Sequence, residues 1–253
     1  MLKYERLERL EEYVNHNQYA TIPQLAEAFD ISKATIRRDL EELGAAGRVQ
    51  LTRGGVVSLH GSVSREASYN EKIQTNHEEK TRIAAAAMRL VSPGSTLFVD
   101  SGTTTRELVP FLRDCHNLKL VTNDLLIASE LSGAIGVEVT VPGGLLRRGY
   151  FTLTGYQAEE MITSMRADLT LMGFDAVRPH GFMISNQDEV GLKRAMIRSG
   201  RQLVVLCDHT KFTADSFITV CPLAKASLVI TGEELKTSIR QEMDSQGVNL
   251  QLV

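Results

Sequence analysis

The sequence predicts an α/β protein in two parts: an N-terminal helical head closed by a β-hairpin, and a C-terminal domain on a parallel, Rossmann-like sheet. Three observations carry this. The first 46 residues hold three helical periodicities separated by short turns. Two short strands then flank Arg53-Gly54-Gly55, and from about residue 76 apolar strands alternate with helix-length segments. At 253 residues the chain suits two domains. The expected boundaries are 1–57, a linker at 58–75 rich in Ser, Gly, Asn, Glu and Lys, and 76–253.

In the first helix Leu7, Leu10 and Val14 fall at i, i+3 and i+7. The second opens on Thr21-Ile22-Pro23-Gln24: Thr21 can cap, Gln24 can reach back as a capping box, and Pro23 is tolerated in the first turn. Leu25, Ala26 and Phe29 face inward, and the helix stops near Asp30. Ser32 then caps a third helix whose buried stripe is Ile36, Leu40 and Leu43. Gly47 ends it, and residues 48–52 and 56–59 read as a hairpin.

Two helices across a tight turn with a hairpin behind them form a winged helix-turn-helix. Ser32, Lys33, Thr35, Arg37 and Arg38 stay off the apolar stripe of the third helix. Arginine can pair with guanine O6 and N7, threonine can bond a base or meet a thymine methyl, and the first-turn N–H groups suit a phosphate. Arg48 and Arg53 on the wing would lie against the DNA backbone. The alternative for Arg37 and Arg38 is pairing with Asp39, Glu41 or Glu42 on a solvated face; the capped pattern and the hairpin favour DNA. Bulk charge does not. Residues 1–57 hold eight Lys/Arg against nine Asp/Glu and the chain is −3 overall, so the charge must be arranged locally.

In the second part Leu97–Val99, Leu118–Val121, Val137–Val141, Leu169–Leu171, Leu203–Leu206, Leu228–Ile230 and Asn249–Val253 read as strands. Alternation with helices predicts a parallel sheet covered on both faces, and ligands bind such sheets at the carboxyl ends of the strands. Asp100-Ser101-Gly102-Thr103-Thr104-Thr105 follows a strand and opens a helix. Its hydroxyls and N–H groups suit a phosphate, although an N-cap turn would look the same. Thr122-Asn123, Gly143-Gly144, Gly173 with Asp175, and Asp208 with Lys211 stand at other strand ends. Lys193 and Lys211 can neutralise a phosphate; Asp100, Asp175 and Asp208 can accept sugar hydroxyls. For Asp175 and Lys193 the plain alternative is a surface charge.

Composition narrows the class. No apolar run approaches the roughly 20 residues of a membrane span, and the charged N-terminus lacks the apolar core of a secretory signal. Cys115, Cys207 and Cys221 are odd in number and far apart, as in a reducing, cytoplasmic setting. Six scattered histidines offer no metal spacing, so neither a metal nor a cofactor is expected.

Ser32-Lys-Ala-Thr-Ile-Arg-Arg-Asp-Leu40, Gly47 and Gly54-Gly55 resemble the DeoR family of bacterial transcriptional regulators. The second part carries further marks: His77-Glu-Glu-Lys80, Asp100-Ser-Gly-Thr-Thr-Thr105, Val121-Thr-Asn123, Pro142-Gly-Gly144 and Asp208-His-Thr-Lys-Phe212. Leu51 and Arg53 depart from the family wing, which commonly has Arg and then His there. Met183 stands where the family often has Thr. The resemblance implies a fold similar to ribose-5-phosphate isomerase and glucosamine-6-phosphate deaminase, with the Asp100–Thr105 loop holding a sugar phosphate.

The expectation is therefore a repressor of a carbohydrate operon, binding double-stranded operator DNA as a dimer or larger homo-oligomer and released by a phosphorylated sugar. An isomerase or deaminase with an appended DNA-binding domain is the alternative, yet no paired acid/base constellation stands out and fold alone does not make an enzyme. A second domain that only oligomerises fits the polar strand-end loops less well.

Overall fold

The computed structural model describes residues 3–17, 19–52, 54–58 and 69–253. The chain divides into two compact units, Met1–Arg65 and Glu66–Val253.

The first unit runs α1 (Lys3–Asn17), β1 (Tyr19–Thr21), α2 (Ile22–Phe29), α3 (Lys33–Ala45), β2 (Val49–Leu51) and β3 (Gly55–Ser58). The three expected apolar stripes meet in one core: Leu7, Leu10 and Val14 of α1, Leu25 of α2, and Ile36, Leu40 and Leu43 of α3. Thr21 caps α2 with the complete capping box to Gln24, and Asp30 ends it in the left-handed conformation, φ 53°. The hairpin gains a strand that the sequence reading lacked. β1 pairs antiparallel with β3, giving the order β1-β3-β2. A Cβ on Gly55 would stand 2.2 Å from the Ala20 carbonyl oxygen, so glycine is what admits β1 there.

The second unit contains α4 (Tyr69–Gln74), α5 (His77–Met88), β4 (Thr96–Val99), α6 (Thr103–Arg106), α7 (Val109–Leu112), β5 (Leu118–Thr122), α8 (Leu125–Leu131) and β6 (Val137–Thr140). A hairpin of β7 (Leu145–Leu146) and β8 (Leu153–Thr154) leads to α9 (Tyr156–Thr163) and β9 (Ala167–Met172). The chain continues through β10 (Ala176–Arg178), β11 (Gly181–Ile184), α10 (Val190–Ser199), β12 (Gly200–Leu206) and β13 (Ile218–Cys221). It ends with β14 (Leu228–Thr231), α11 (Thr237–Ser245) and β15 (Leu250–Leu252). The linker expected at 58–75 overlaps α4, which the second unit includes; Tyr69 supplies the buried anchor that its polar neighbours hid.

All seven expected strands join one parallel sheet, ordered β15-β14-β12-β9-β4-β5-β6. Both faces are buried, as continuous apolar strands require. Leu97 and Val99 enter one core with Leu169, Leu171, Val204 and Leu206; Phe98 enters the other with Met172, Leu203 and Val205. From β4 the chain winds outward through β5 and β6, then returns to β9 on the other side of β4 and winds away through β12, β14 and β15. The order thus reverses between β4 and β9, and at such a switch point the connections leave in opposite directions and open a crevice at the strand ends. β10, β11 and β13 form a small antiparallel sheet, and no described helix is long and apolar enough to cross a membrane.

Candidate functional site

In the first unit α3 is fixed before it is exposed. Ser32 Oγ accepts from Thr35 N at 3.2 Å and bonds the Thr35 hydroxyl at 2.9 Å. Asp39, between the two surface faces, is buried and accepts from Arg6 Nε at 2.6 Å and Nη2 at 3.1 Å, which clamps α3 to α1. Lys33, Arg37 and Arg38 are exposed and Thr35 is half-buried. Two acids that could have neutralised the arginines are engaged elsewhere, Asp39 with Arg6 and Glu42 with Lys3 at 2.7 Å. Arg37 and Arg38 make no ion pair among the described residues. Such a helix presents its donors outward, as major-groove reading requires.

The wing differs from expectation. Arg48, expected on the DNA backbone, donates through Nε to Glu11 Oε2 at 2.7 Å and through Nη2 to the same oxygen. It therefore ties the hairpin to α1, and the Glu11 hydrogen bond raises its pKa further. Arg53 lies outside the described residues.

In the second unit a cavity opens at the β4/β9 switch point. The expected Ser101, Gly102, Thr103, Thr104, Thr105, Asp175, Lys193 and Lys211 all line it. The loop after β4 turns into α6 here, and the first N–H groups of a helix have no intrahelical acceptor. Gly102 has φ 165°, ordinary extended backbone; its hydrogen matters because a Cβ would sit 3.3 Å from Thr105 Oγ1.

Lys193 reaches the floor from α10. Its Nζ bonds Asp100 Oδ2 and donates to the Gly173 carbonyl at 3.0 Å. Burial pushes the Asp100 carboxyl up, while burial of the Lys193 ammonium is outweighed by Asp100, leaving that lysine firmly charged. Asp100 Oδ1 is buried without a hydrogen-bond partner among the described residues. Lys211 contacts Asp208 only at 3.9 Å. Asp175, though buried, is held down to about 2 chiefly by Lys72, 2.7 Å away, and by the Ser185 N–H.

Six expected residues stand behind the cavity and do not line it. Asp100 is the counter-ion beneath Lys193. Thr122 Oγ1 accepts from Asp124 N, and Asn123 Oδ1 accepts from Ser101 N at 3.0 Å, so both brace the loop. Gly143 has open space about it, and Gly144, at φ 143°, lets the Thr154 carbonyl approach within 2.4 Å of a Cβ position. Asp208 caps a short turn, accepting from Thr210 N and Asn76 Nδ2, both at 3.1 Å. Sequence reasoning missed Lys72, Tyr69, Arg147, Tyr150 and Thr152, all of which line the cavity beside Glu189. Arg147 bonds Glu189 at 2.6 Å and stacks 3.7 Å above the Tyr150 ring.

Family models match both units. A model of the DeoR-like helix-turn-helix domain matches residues 6–62, and one of the DeoR C terminal sensor domain matches residues 75–233. The chain belongs to the DeoR family. The HTH-type transcriptional regulator GlpR of Haloferax volcanii is 34% identical over 251 residues, 99% of this chain and 98% of its own. The glycerol-3-phosphate regulon repressor of Escherichia coli is 29% identical, covering 95% of both chains. Ribose 5-phosphate isomerase A of Methanocaldococcus jannaschii aligns at a TM-score of 0.40 and 13% identity over 55% of each chain. This DeoR-family chain is a DNA-binding transcriptional regulator with a sensor domain. It is not an isomerase or deaminase, because relatives that match it end to end are regulators.

Proposed function

We propose that the switch-point cavity binds a phosphorylated sugar or related metabolite, and that binding releases operator DNA from a symmetric homo-oligomer repressing a carbohydrate-catabolism operon in the cytoplasm. One observation carries this reading: the cationic side chains of Lys72, Arg147, Lys193 and Lys211 converge on a single cavity, each set beside a carboxylate, Asp175, Glu189, Asp100 and Asp208 in turn. Four cationic donors beside the Ser101–Thr105 hydroxyls can exchange carboxylate contacts for those of a phosphate dianion, and Asp175 and Glu189 can accept sugar hydroxyls. A relative named for a glycerol-3-phosphate regulon is in keeping with a phosphorylated ligand.

DNA contacts fall to Ser32, Lys33, Thr35, Arg37 and Arg38. A two-fold assembly matches operator half-sites roughly 34–36 Å apart. Release requires the ligand to bind the DNA-incompetent state more tightly, since equal affinity shifts nothing. The test is thermal unfolding with a panel of phosphosugars, followed by operator binding with each. A true ligand at a hundredfold excess over Kd adds about 2.7 kcal/mol of stability, and Lys211→Ala should abolish most of it. If no phosphosugar raises the melt or weakens operator binding, the reading is wrong.

A further inference from the structure

Release of DNA by a metabolite needs a route from the cavity to the DNA-reading unit, and the connecting chain offers one. α4 is the first described element of the second unit, so that chain enters through it. Six residues are too few for a helix stable by itself, and its last carbonyls lack intrahelical donors. Side-chain ties therefore hold it. Lys72 Nζ donates to Asp175 Oδ1 at 2.7 Å. The Tyr69 hydroxyl accepts from Arg106 Nη1 at 3.3 Å, and its ring meets Phe151 edge-on at 5.3 Å. From α5, the buried Lys80 donates to the Lys72 carbonyl and to Thr103 Oγ1, the latter at 3.1 Å.

Tyr69, Lys72, Thr103 and Asp175 line the cavity; Lys80 does not. Its ammonium nevertheless bonds the backbone of α4 and the hydroxyl of the loop after β4 at once. We propose that Lys80 is the positioning residue coupling cavity to operator: an anion at Thr103 draws on the ammonium that holds the carbonyl end of α4, and α4 passes the shift along the chain. The inference rests on the phosphosugar reading above. Burial holds the Lys80 pKa down to about 8 although Asp208 and Glu107 lie near, with Lys72 and Lys211 opposing them.

The test uses the full chain, a fluorescent operator duplex, and four probes: glycerol 3-phosphate, ribose 5-phosphate, glucose 6-phosphate and fructose 1-phosphate. The parent should lose about tenfold or more in operator affinity with its active probe, within the usual range of coupling. Lys80→Met should bind that probe within about threefold of the parent yet lose less than about threefold in operator affinity, and Lys80→Arg should restore the response. A parent that responds to no probe fails the cavity reading and takes this proposal with it. A parent that responds while Lys80→Met responds equally overturns the coupling role alone. Loss of probe binding in a folded Lys80→Met makes Lys80 a ligand contact and also overturns it. Should Lys80→Met not fold, hydrogen exchange on the parent decides. Amides of residues 69–74 should change rate about threefold or more with the active probe, and unchanged rates during operator release refute the proposal.

Discussion

Removing the Asp39 carboxylate should destabilise the DNA-reading unit while leaving the sensor intact. Asp39 accepts two hydrogen bonds from Arg6, and the two side chains are 4% and 18% exposed. Breaking a buried pair from one side costs about 3–5 kcal/mol, because the remaining charge is left uncompensated. Arg6 keeps some access to water, so the lower end, about 3 kcal/mol, applies to Asp39→Ala. A unit of roughly 60 residues has only about 3–9 kcal/mol to lose. At about 4–8 °C per kcal/mol, its transition should fall by about 12 °C or more. Differential scanning calorimetry on the full chain reads this directly, with the transition of the second unit as internal control. Asp39→Asn should lie between parent and Ala. The double variant Arg6→Met/Asp39→Leu, which replaces both charges by apolar groups, should recover much of the loss. Should Asp39→Ala and Asp39→Asn both melt within about 2 °C of the parent, the clamp is not what holds α3.

Arg37→Ala and Arg38→Ala should each weaken operator binding by about 1–3 kcal/mol without lowering the melting temperature, since both side chains are exposed and make no ion pair among the described residues; unchanged anisotropy titrations for both would remove them from the interface. In acid, the Asp175 carboxylate, ordinarily near 3.8, is held to about 2, so the unfolded chain takes up its proton first. Its contribution, about 2 kcal/mol, is present above pH 3.8 and is lost as pH falls from there to 2. Lys72→Met should remove that part of the acid dependence, measured by urea unfolding of the second unit across the window.

The parallel sheet was legible because strands buried on both faces are written as unbroken apolar runs, as in Leu203-Val-Val-Leu206. β1 was not, because Tyr19-Ala20-Thr21 is short and its reason for being a strand, the Gly55 contact, lies 34 residues away or more. Loop signals behaved similarly. Asp100–Thr105 declares itself by a strand, a glycine and consecutive hydroxyls, and five of those six residues line the cavity. Lys72, Arg147 and Tyr150 carry no local mark; a short helix and a two-residue-strand hairpin bring them in from distant sequence. The same limit applied to Arg48, whose partner Glu11 is 37 residues off, and to Asp39, which reads as a surface acid until Arg6 is seen beside it.

The cavity at the β4/β9 reversal has a consequence for how such regulators diversify. Its walls come from connections beyond the strand ends, whereas the sheet beneath is packed on both faces. Exchanges at Tyr150, Arg147 or Glu189 would alter the lining of the cavity without disturbing a single strand register. The candidate DNA-reading helix α3 sits in a separate unit with its own core. Input and output can therefore be revised independently in evolution, or by an engineer who wants an existing promoter to answer a new compound.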